Sequence, residues 1–318
     1  MRTDYTPKEI KGLLDGAVVG QEELKVCLAT QFFLHMKKLD QFTKTKDKDV
    51  LQSNFKNNIL IAGPSGSGKT YSVQKAAEML GLPFVACSAT DLTAPGWSGA
   101  DLYNVLEDGQ KQAKSKFGSH GEVLSKFLVV FIDEMDKLLI PAKGRSGTDH
   151  NQQTINSMLV AFNGGTVFSP DSKMGSKGDS IDTSNMLFIV AGVFPAFRKR
   201  AEQKDKTVGF VTVENKKKEL YDHLLDCKVM PELVGRLTRI VFTEKLSKAE
   251  LRDILLGPMG VLASYRRLLL PEGLNPVLSE EDIEEIITKV EETEIGVRAL
   301  SAILGGMLER DIYEGLGE

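Results

Sequence analysis

The chain has 318 residues, 42% of them hydrophobic and 26% charged, with a formal net charge of -4. That length allows a large core divided between two units, and the mild acidity argues against a duplex-tracking nucleic-acid surface. No apolar run reaches bilayer-spanning length, and Met1-Arg2-Thr3-Asp4 lacks a leader pattern. Cys27, Cys87 and Cys227 are too scattered for a disulfide framework or a zinc site, so a reducing, cytoplasmic setting is expected.

Thr6 to Asp40 reads as helical, with Leu13 and Leu14 before a turn at Val18-Val19-Gly20-Gln21 and a second helix carrying Leu24, Leu28, Phe32 and His35. The lysine-rich stretch Gln41 to Asn58 is expected to be a polar surface connector. The apolar run Ile59-Leu60-Ile61-Ala62 then enters Gly63-Pro64-Ser65-Gly66-Ser67-Gly68-Lys69-Thr70, which has the order strand, phosphate loop, helix start. Glycines let such a backbone turn tightly and aim its N–H groups at phosphate oxygens, and the following helix offers its positive end to the same charge. A nucleoside triphosphate is the expected ligand. Lys69 is assigned to the β- and γ-phosphates, Thr70 to Mg²⁺, and Tyr71 to the nucleotide as the next residue along. A glycine-rich turn matching the pattern by chance is the competing reading of the bare motif.

A short strand, Phe84 to Cys87, follows a helix ending near Gly81, and Asp101 to Ala113 returns to helical spacing. The next apolar run, Phe127 to Ile132, suits a parallel strand buried on both faces, and it ends in Asp133-Glu134. Alone, these acids also suit a helix cap. Behind a complete phosphate loop they read as catalytic: Asp133 in the Mg²⁺ shell, Glu134 polarising the attacking water. Beyond a loop at Pro141 to Asp149, Ile155, Met158, Leu159 and Phe162 keep helical spacing until Gly164-Gly165 stops them. Ser169 to Ser180 is polar and expected to lack fixed structure, and Met186 to Ala191 is a further buried strand. The style changes at Thr243 to Ser247, a plausible hinge, after which the apolar stripe Leu300, Ile303, Leu304, Met307 and Leu308 marks a small helical unit. The expected fold is therefore α/β with a parallel sheet over residues 1–245, followed by a small helical domain over 246–318.

Thr6-Pro7-Lys8-Glu9-Ile10, Val18-Val19-Gly20-Gln21-Glu22, the two nucleotide motifs, Ile181-Asp182-Thr183-Ser184-Asn185, Met230-Pro231-Glu232-Leu233-Val234-Gly235-Arg236-Leu237 and Gly296-Val297-Arg298-Ala299-Leu300 occur in one order. In that order and over nearly the whole length, the chain resembles the AAA+ module of the ClpX protein unfoldases. The resemblance implies that Val18 and Val19 line the adenine pocket, a role compatible with ordinary packing. It implies that Arg236 reaches a neighbour's γ-phosphate across a subunit boundary, for which a planar guanidinium is suited. It also implies that Arg298 is a second sensor, joining the small domain to the nucleotide; an arginine at a helix start opposes the macrodipole, which favours a functional reason for it.

Trp97, the single tryptophan, lies in Ala94-Pro95-Gly96-Trp97-Ser98-Gly99-Ala100, where glycines and proline disfavour a buried element and an exposed aromatic reads as a contact residue. The resembling family carries Gly-Tyr-Val-Gly here, on a loop projecting into a central pore, so Trp97 stands for the tyrosine and Ser98 for the valine. Lys143 and Arg145 fit either a second pore loop or a solvated turn. Val208-Gly209-Phe210, an apolar triplet in a polar region, reads as a docking plug, which the resemblance assigns to a ClpP-like peptidase ring; a short strand with Phe210 tucked inside is the alternative. The family's cysteine-rich zinc-binding domain and its Arg-Lys-His pore-entrance loop have no counterpart here, and Gly192 after Met186 to Ala191 leaves no polar first-sensor residue to name.

Together these readings imply an ATP hydrolase working as a homo-oligomeric, hexameric ring that threads protein substrates through its pore, with delivery to a ClpP-like peptidase. The alternatives are a remodelling ATPase without a peptidase and a DNA-associated ATPase.

Overall fold

The apolar runs at Ile59–Ala62, Val129–Ile132 and Leu187–Ala191 become strands whose side chains alternate between two separate cores. The computed structural model describes residues 3–45, 56–92, 101–140, 149–170, 179–194, 229–293 and 295–315. In chain order, helices α1 (Pro7–Asp15) and α2 (Glu22–Thr45) precede strand β1 (Ile59–Ala62), helix α3 (Lys69–Met79) and strand β2 (Phe84–Ser88). Helix α4 (Leu102–Phe117), strand β3 (Val129–Asp133) and helix α5 (His150–Phe162) follow. A hairpin of β4 (Thr166–Phe168) and β5 (Ser180–Asp182) comes next, then strands β6 (Leu187–Gly192) and β7 (Arg239–Phe242). Helices α6 (Lys248–Leu256), α7 (Val261–Leu269), α8 (Glu280–Glu292) and α9 (Val297–Gly315) complete the order.

Five strands form one parallel sheet in the order β2-β3-β6-β1-β7. Ile59, Ile61, Val129, Phe131 and Ile189 pack on one face against Leu24, Leu28 and Phe32 of α2 and Val73 of α3. Leu60, Val130, Ile132, Phe188 and Val190 face the other way, onto Leu106 of α4 and Met158 and Phe162 of α5. Period-two alternation thus gives a sheet covered on both sides, the arrangement parallel strands require. A third core, from Leu246 to Leu308, is made by α6, α8 and α9 with Leu262 of α7; Ile286, Leu300 and Leu304 are fully enclosed there. This is the expected α/β fold with a parallel sheet, followed by a helical C-terminal region.

Three expectations needed correction. The stretch after Asp40 does not leave the helix at once: α2 runs to Thr45, because Phe42 packs on Phe127 at 5.5 Å and Lys44 pairs with Asp40 one turn back. Helix α4 continues past Ala113 to Phe117 before Gly118 breaks it with φ 52. Ser169 to Ser180 begins and ends in structure, since Ser169 N–H donates to Asp179 O and Ser180 pairs with Phe168.

Candidate active site

The sheet places the phosphate loop and both acids at its carboxyl edge, where open α/β sheets bind ligands. Gly63 follows β1 and donates its N–H to Gly192 O at 3.1 Å, tying the loop to the end of β6. Gly66 and Gly68 have φ 68 and 87, left-handed values that side chains resist, so the loop can curl ahead of α3. Gly66 is also where the helical unit arrives: Val297 N–H donates to Gly66 O at 3.3 Å, and a Cβ on Gly66 would strike the carbonyl of Ile295.

Lys69 opens α3, is 7% exposed, and donates to Gly63 O at 2.9 Å and Pro64 O at 2.8 Å. Burial lowers its pKa, while Asp133 and Asp136 act to raise it and Arg298 adds to the lowering. Thr70 Oγ1 donates to Asp133 Oδ2 at 3.1 Å, and Asp133 Oδ1 accepts the Glu134 N–H at 2.8 Å. Glu134 sits at φ 58, a left-handed conformation costly for a non-glycine residue, immediately after the strand. Its Oε2 accepts at 2.9 Å from Oγ of Ser88, the last residue of β2, and at 3.2 Å from Oγ1 of Thr90 in the turn that follows.

These residues line one cleft of about 730 Å³ between the sheet edge and the helical unit. Ser65 to Tyr71, Asp133, Glu134 and Arg298 share it with Val18 and Val19, while Gly63 and Pro64 touch it through the Lys69 bonds. Val18 is held from below: its N–H donates to Leu14 O at 2.7 Å, and buried Lys25 donates to its carbonyl at 3.4 Å. Lys25 in turn pairs with Asp15 at 2.8 Å and Glu22 at 2.5 Å, while Lys11 reaches both acids. Hydrogen bonds from these lysines pull both carboxyl pKa values down.

The cleft also contains residues that the sequence reading did not single out. Asp136 Oδ1 accepts the Val193 N–H at 3.1 Å, fixing the turn after β6, and Leu246, Ile254 and Tyr265 supply apolar surface from the helical unit. Asp136 had a visible signal, lying three residues after Asp133; the helical-unit residues had none, because packing alone brings them in.

Arg236 lies outside the cleft. It stands three residues before β7, whose Arg239 is in register with Ile59, the first residue of β1. Four residues of strand therefore separate it from Gly63, about 13 Å at ~3.3 Å each. Its guanidinium donates to Asn163 Oδ1 at 2.6 Å and Glu232 O at 2.5 Å, and buried Asn58 binds its carbonyl at 3.0 Å. Trp97, Lys143, Arg145 and Val208-Gly209-Phe210 lie outside the described residues.

The donor set fits a magnesium nucleotide: an ammonium, curled glycine backbone, a hydroxyl paired with a carboxylate, and an apolar end wall. Such a strand, loop and helix with an acid pair on a neighbouring parallel strand defines a phosphate-loop nucleotide hydrolase. A family model for the AAA domain (Cdc48 subfamily) matches residues 54–240. A protein of Methylococcus capsulatus, described as ATP-dependent Clp protease ATP-binding subunit ClpX 3, is 31% identical over 336 aligned positions spanning 97% of this chain and 76% of that relative. The chain belongs to the AAA+ ATPases, as a ClpX-like member of their chaperone and unfoldase class.

Proposed function

We propose that the protein is an ATP-driven unfoldase that works as a hexameric ring and draws polypeptides through a central pore. The observation carrying this reading is the separation of Arg236 from the cleft. Everything needed to hold a triphosphate converges at one sheet edge, while the arginine expected to complete the site sits at the opposite edge, out of reach of its own phosphate loop. A guanidinium so placed serves a neighbour's nucleotide, and head-to-tail repetition of that contact closes a ring.

Within each site, Lys69 turns from the Gly63 and Pro64 carbonyls to the β- and γ-phosphates. Thr70 and Asp133 hold Mg²⁺, which when bound neutralises charge on the phosphates. Glu134 orients the attacking water and accepts its proton, and to do so its carboxylate leaves Ser88 and Thr90. Val18 and Val19 enclose the base. Arg298, at the start of α9, connects the phosphates to the helical unit, so the angle between residues 1–245 and 246–318 follows occupancy. Trp97 then grips the threaded chain, and Val208-Gly209-Phe210 docks a ClpP-like peptidase in the cytoplasm. Among the described residues, no helix is long and apolar enough to cross a membrane.

Glu134→Gln tests the assignment. The variant should bind ATP as the wild type does, lose hydrolysis, and hold rings with substrate trapped in them; undiminished turnover removes Glu134 from its role. Capture of trapped proteins and any peptidase from a lysate then separates the unfoldase from a DNA-associated ATPase, whose turnover duplex DNA would stimulate.

A further inference from the structure

The segment Gly16 to Gln21 joins α1 to α2 and carries the base-side wall of the cleft, yet its far end is bonded to the connector that leads into the helical unit. Gln21 does not line the cleft. Its side-chain amide pairs with both backbone groups of one residue: Nε2 donates to Glu244 O at 2.9 Å, and Oε1 accepts the Glu244 N–H at 3.1 Å. This imitates a strand pair in a place where none exists. Reaching it requires two successive left-handed residues, Gly20 at φ 67 and Gln21 at φ 55, and the second is costly for a residue with a Cβ.

The joint continues on both sides. Thr243 Oγ1 bonds Ser67 Oγ of the phosphate loop at 2.7 Å, and Thr243 N–H donates to Ala62 O at 2.9 Å. On the other side, Gly20 packs so closely on Glu250 that a Cβ there would collide with its carboxyl group. Glu250 is the partner of Ser247 in the capping box that starts α6. The base-side loop, the phosphate loop and the first turn of the helical unit therefore meet at Thr243-Glu244.

We infer that Gln21 is a positioning residue that locks the base-side wall to the helical unit, so that recognition of the nucleotide's base depends on the Gln21–Glu244 clamp. The inference rests on the reading of the cleft as an ATP site. Without the clamp, only the Lys25 N–H bond to its carbonyl still holds Gln21 in the left-handed conformation; the loop relaxes, and Val18 and Val19 lose their register with Leu246 and Ile254, which line the same cleft. The phosphate cradle, built on β1 and α3, does not depend on it.

That asymmetry supplies the test. The full chain is titrated by calorimetry with ATP and, separately, with inorganic tripolyphosphate, both with Mg²⁺. Gln21→Met keeps the length of the side chain and removes both bonds. It should weaken ATP about tenfold, the order expected from losing two exposed hydrogen bonds. Tripolyphosphate affinity should not change, because the cradle on β1 and α3 makes no use of the clamp, whereas the ligand-free melting temperature should fall modestly with the two lost bonds. Gln21→Glu keeps the acceptor for the Glu244 N–H but sets a carboxylate oxygen against the Glu244 carbonyl, and should weaken ATP at least as much. Gly20→Ala, which presses on Glu250 and leaves Gln21 intact, should reproduce the ATP-selective loss; it and Gln21→Glu carry the comparison should Gln21→Met not fold. ATP affinity unchanged across the series, or equal losses for ATP and tripolyphosphate, overturns the inference alone. A wild-type chain that binds neither ligand overturns the ATP-site reading and the inference with it.

Discussion

Two inactive variants should rescue each other if Arg236 acts across a boundary. Lys69→Ala removes the ammonium that caps Gly63 and Pro64, while Arg236→Ala removes a guanidinium at the other sheet edge, about 13 Å of strand away. An arginine finger is worth about 10³ to 10⁵ in rate, so Arg236→Ala alone should turn over ATP at no more than about a thousandth of the wild-type rate. In a ring made from equal amounts of the two variants, a working site needs an Arg236→Ala copy supplying the cradle and a Lys69→Ala copy supplying the finger. Random assembly puts that pair at about a quarter of the boundaries. Mixing should thus raise phosphate release hundreds of fold above either variant, towards a quarter of the wild-type rate, in an assay that follows phosphate after co-assembly. Mixed rings, verified by size-exclusion chromatography with differently tagged copies, that stay as inactive as their parents would refute the trans assignment. So would an Arg236→Ala protein with normal turnover.

Acid should unfold the protein partly through His35, which is 6% exposed, bonds Phe127 O through Nε2 at 2.9 Å, and has its pKa lowered to about 4 by burial, with Lys38 and Lys56 adding to the shift. The unfolded chain takes up the proton near pH 6.5 and the native one only near 4, so stability falls as pH drops between them, by about 3 kcal/mol in all. Urea titrations of His35→Gln should show a correspondingly shallower pH dependence, and an unaltered one would remove His35 from the account. Two glycines should respond oppositely to alanine. Gly12→Ala, in α1 with nothing within 4 Å of the added Cβ, should stabilise by about 0.5–1 kcal/mol. Gly66→Ala, forced against the Ile295 carbonyl at φ 68, should lower the melting temperature and reduce the stabilisation that ATP confers; thermal melts with and without ATP compare both.

The nucleotide motif was legible because its chemistry is local: one run of eight residues makes the cradle, and the buried strands on either side are continuous apolar runs. Strand β7 was harder to see, being four residues long with Arg239 at its start and Val241 its only fully buried member. The β4–β5 hairpin was missed for a related reason: Phe168 is 63% exposed and only Ile181 is buried, so no alternation marks a core face. The extension of α2 depended on one distant contact, Phe42 against Phe127, which no local pattern reports. Among site residues, Ser88 and Thr90 carry no local signal of their own; the register of β2 beside β3, with Ser88 opposite Asp133, brings them to Glu134.

That register gives Glu134 two partners of different origin, and they bear on how the proposed cycle could be driven. One belongs to the proposed mechanism, the water that Glu134 would orient at the γ-phosphate. The other is the hydroxyl pair of Ser88 and Thr90, whose oxygens lie 2.6 Å apart and whose two protons both point at the carboxylate when neither hydroxyl donates to the other. A carboxylate oxygen bonded by two hydroxyls is well satisfied where it is, so leaving them requires compensation, and net hydrogen bonds of about 1 kcal/mol each set the scale. Such a difference is small enough to be reversed by the arrival of Mg²⁺ and phosphate charge at Thr70 and Asp133, yet large enough to hold the side chain back in the ligand-free cleft. On this reading Glu134 is restrained until the site fills. Ser88→Ala, which removes one of the two restraints without touching the cleft wall, should then raise the basal hydrolysis rate rather than lower it.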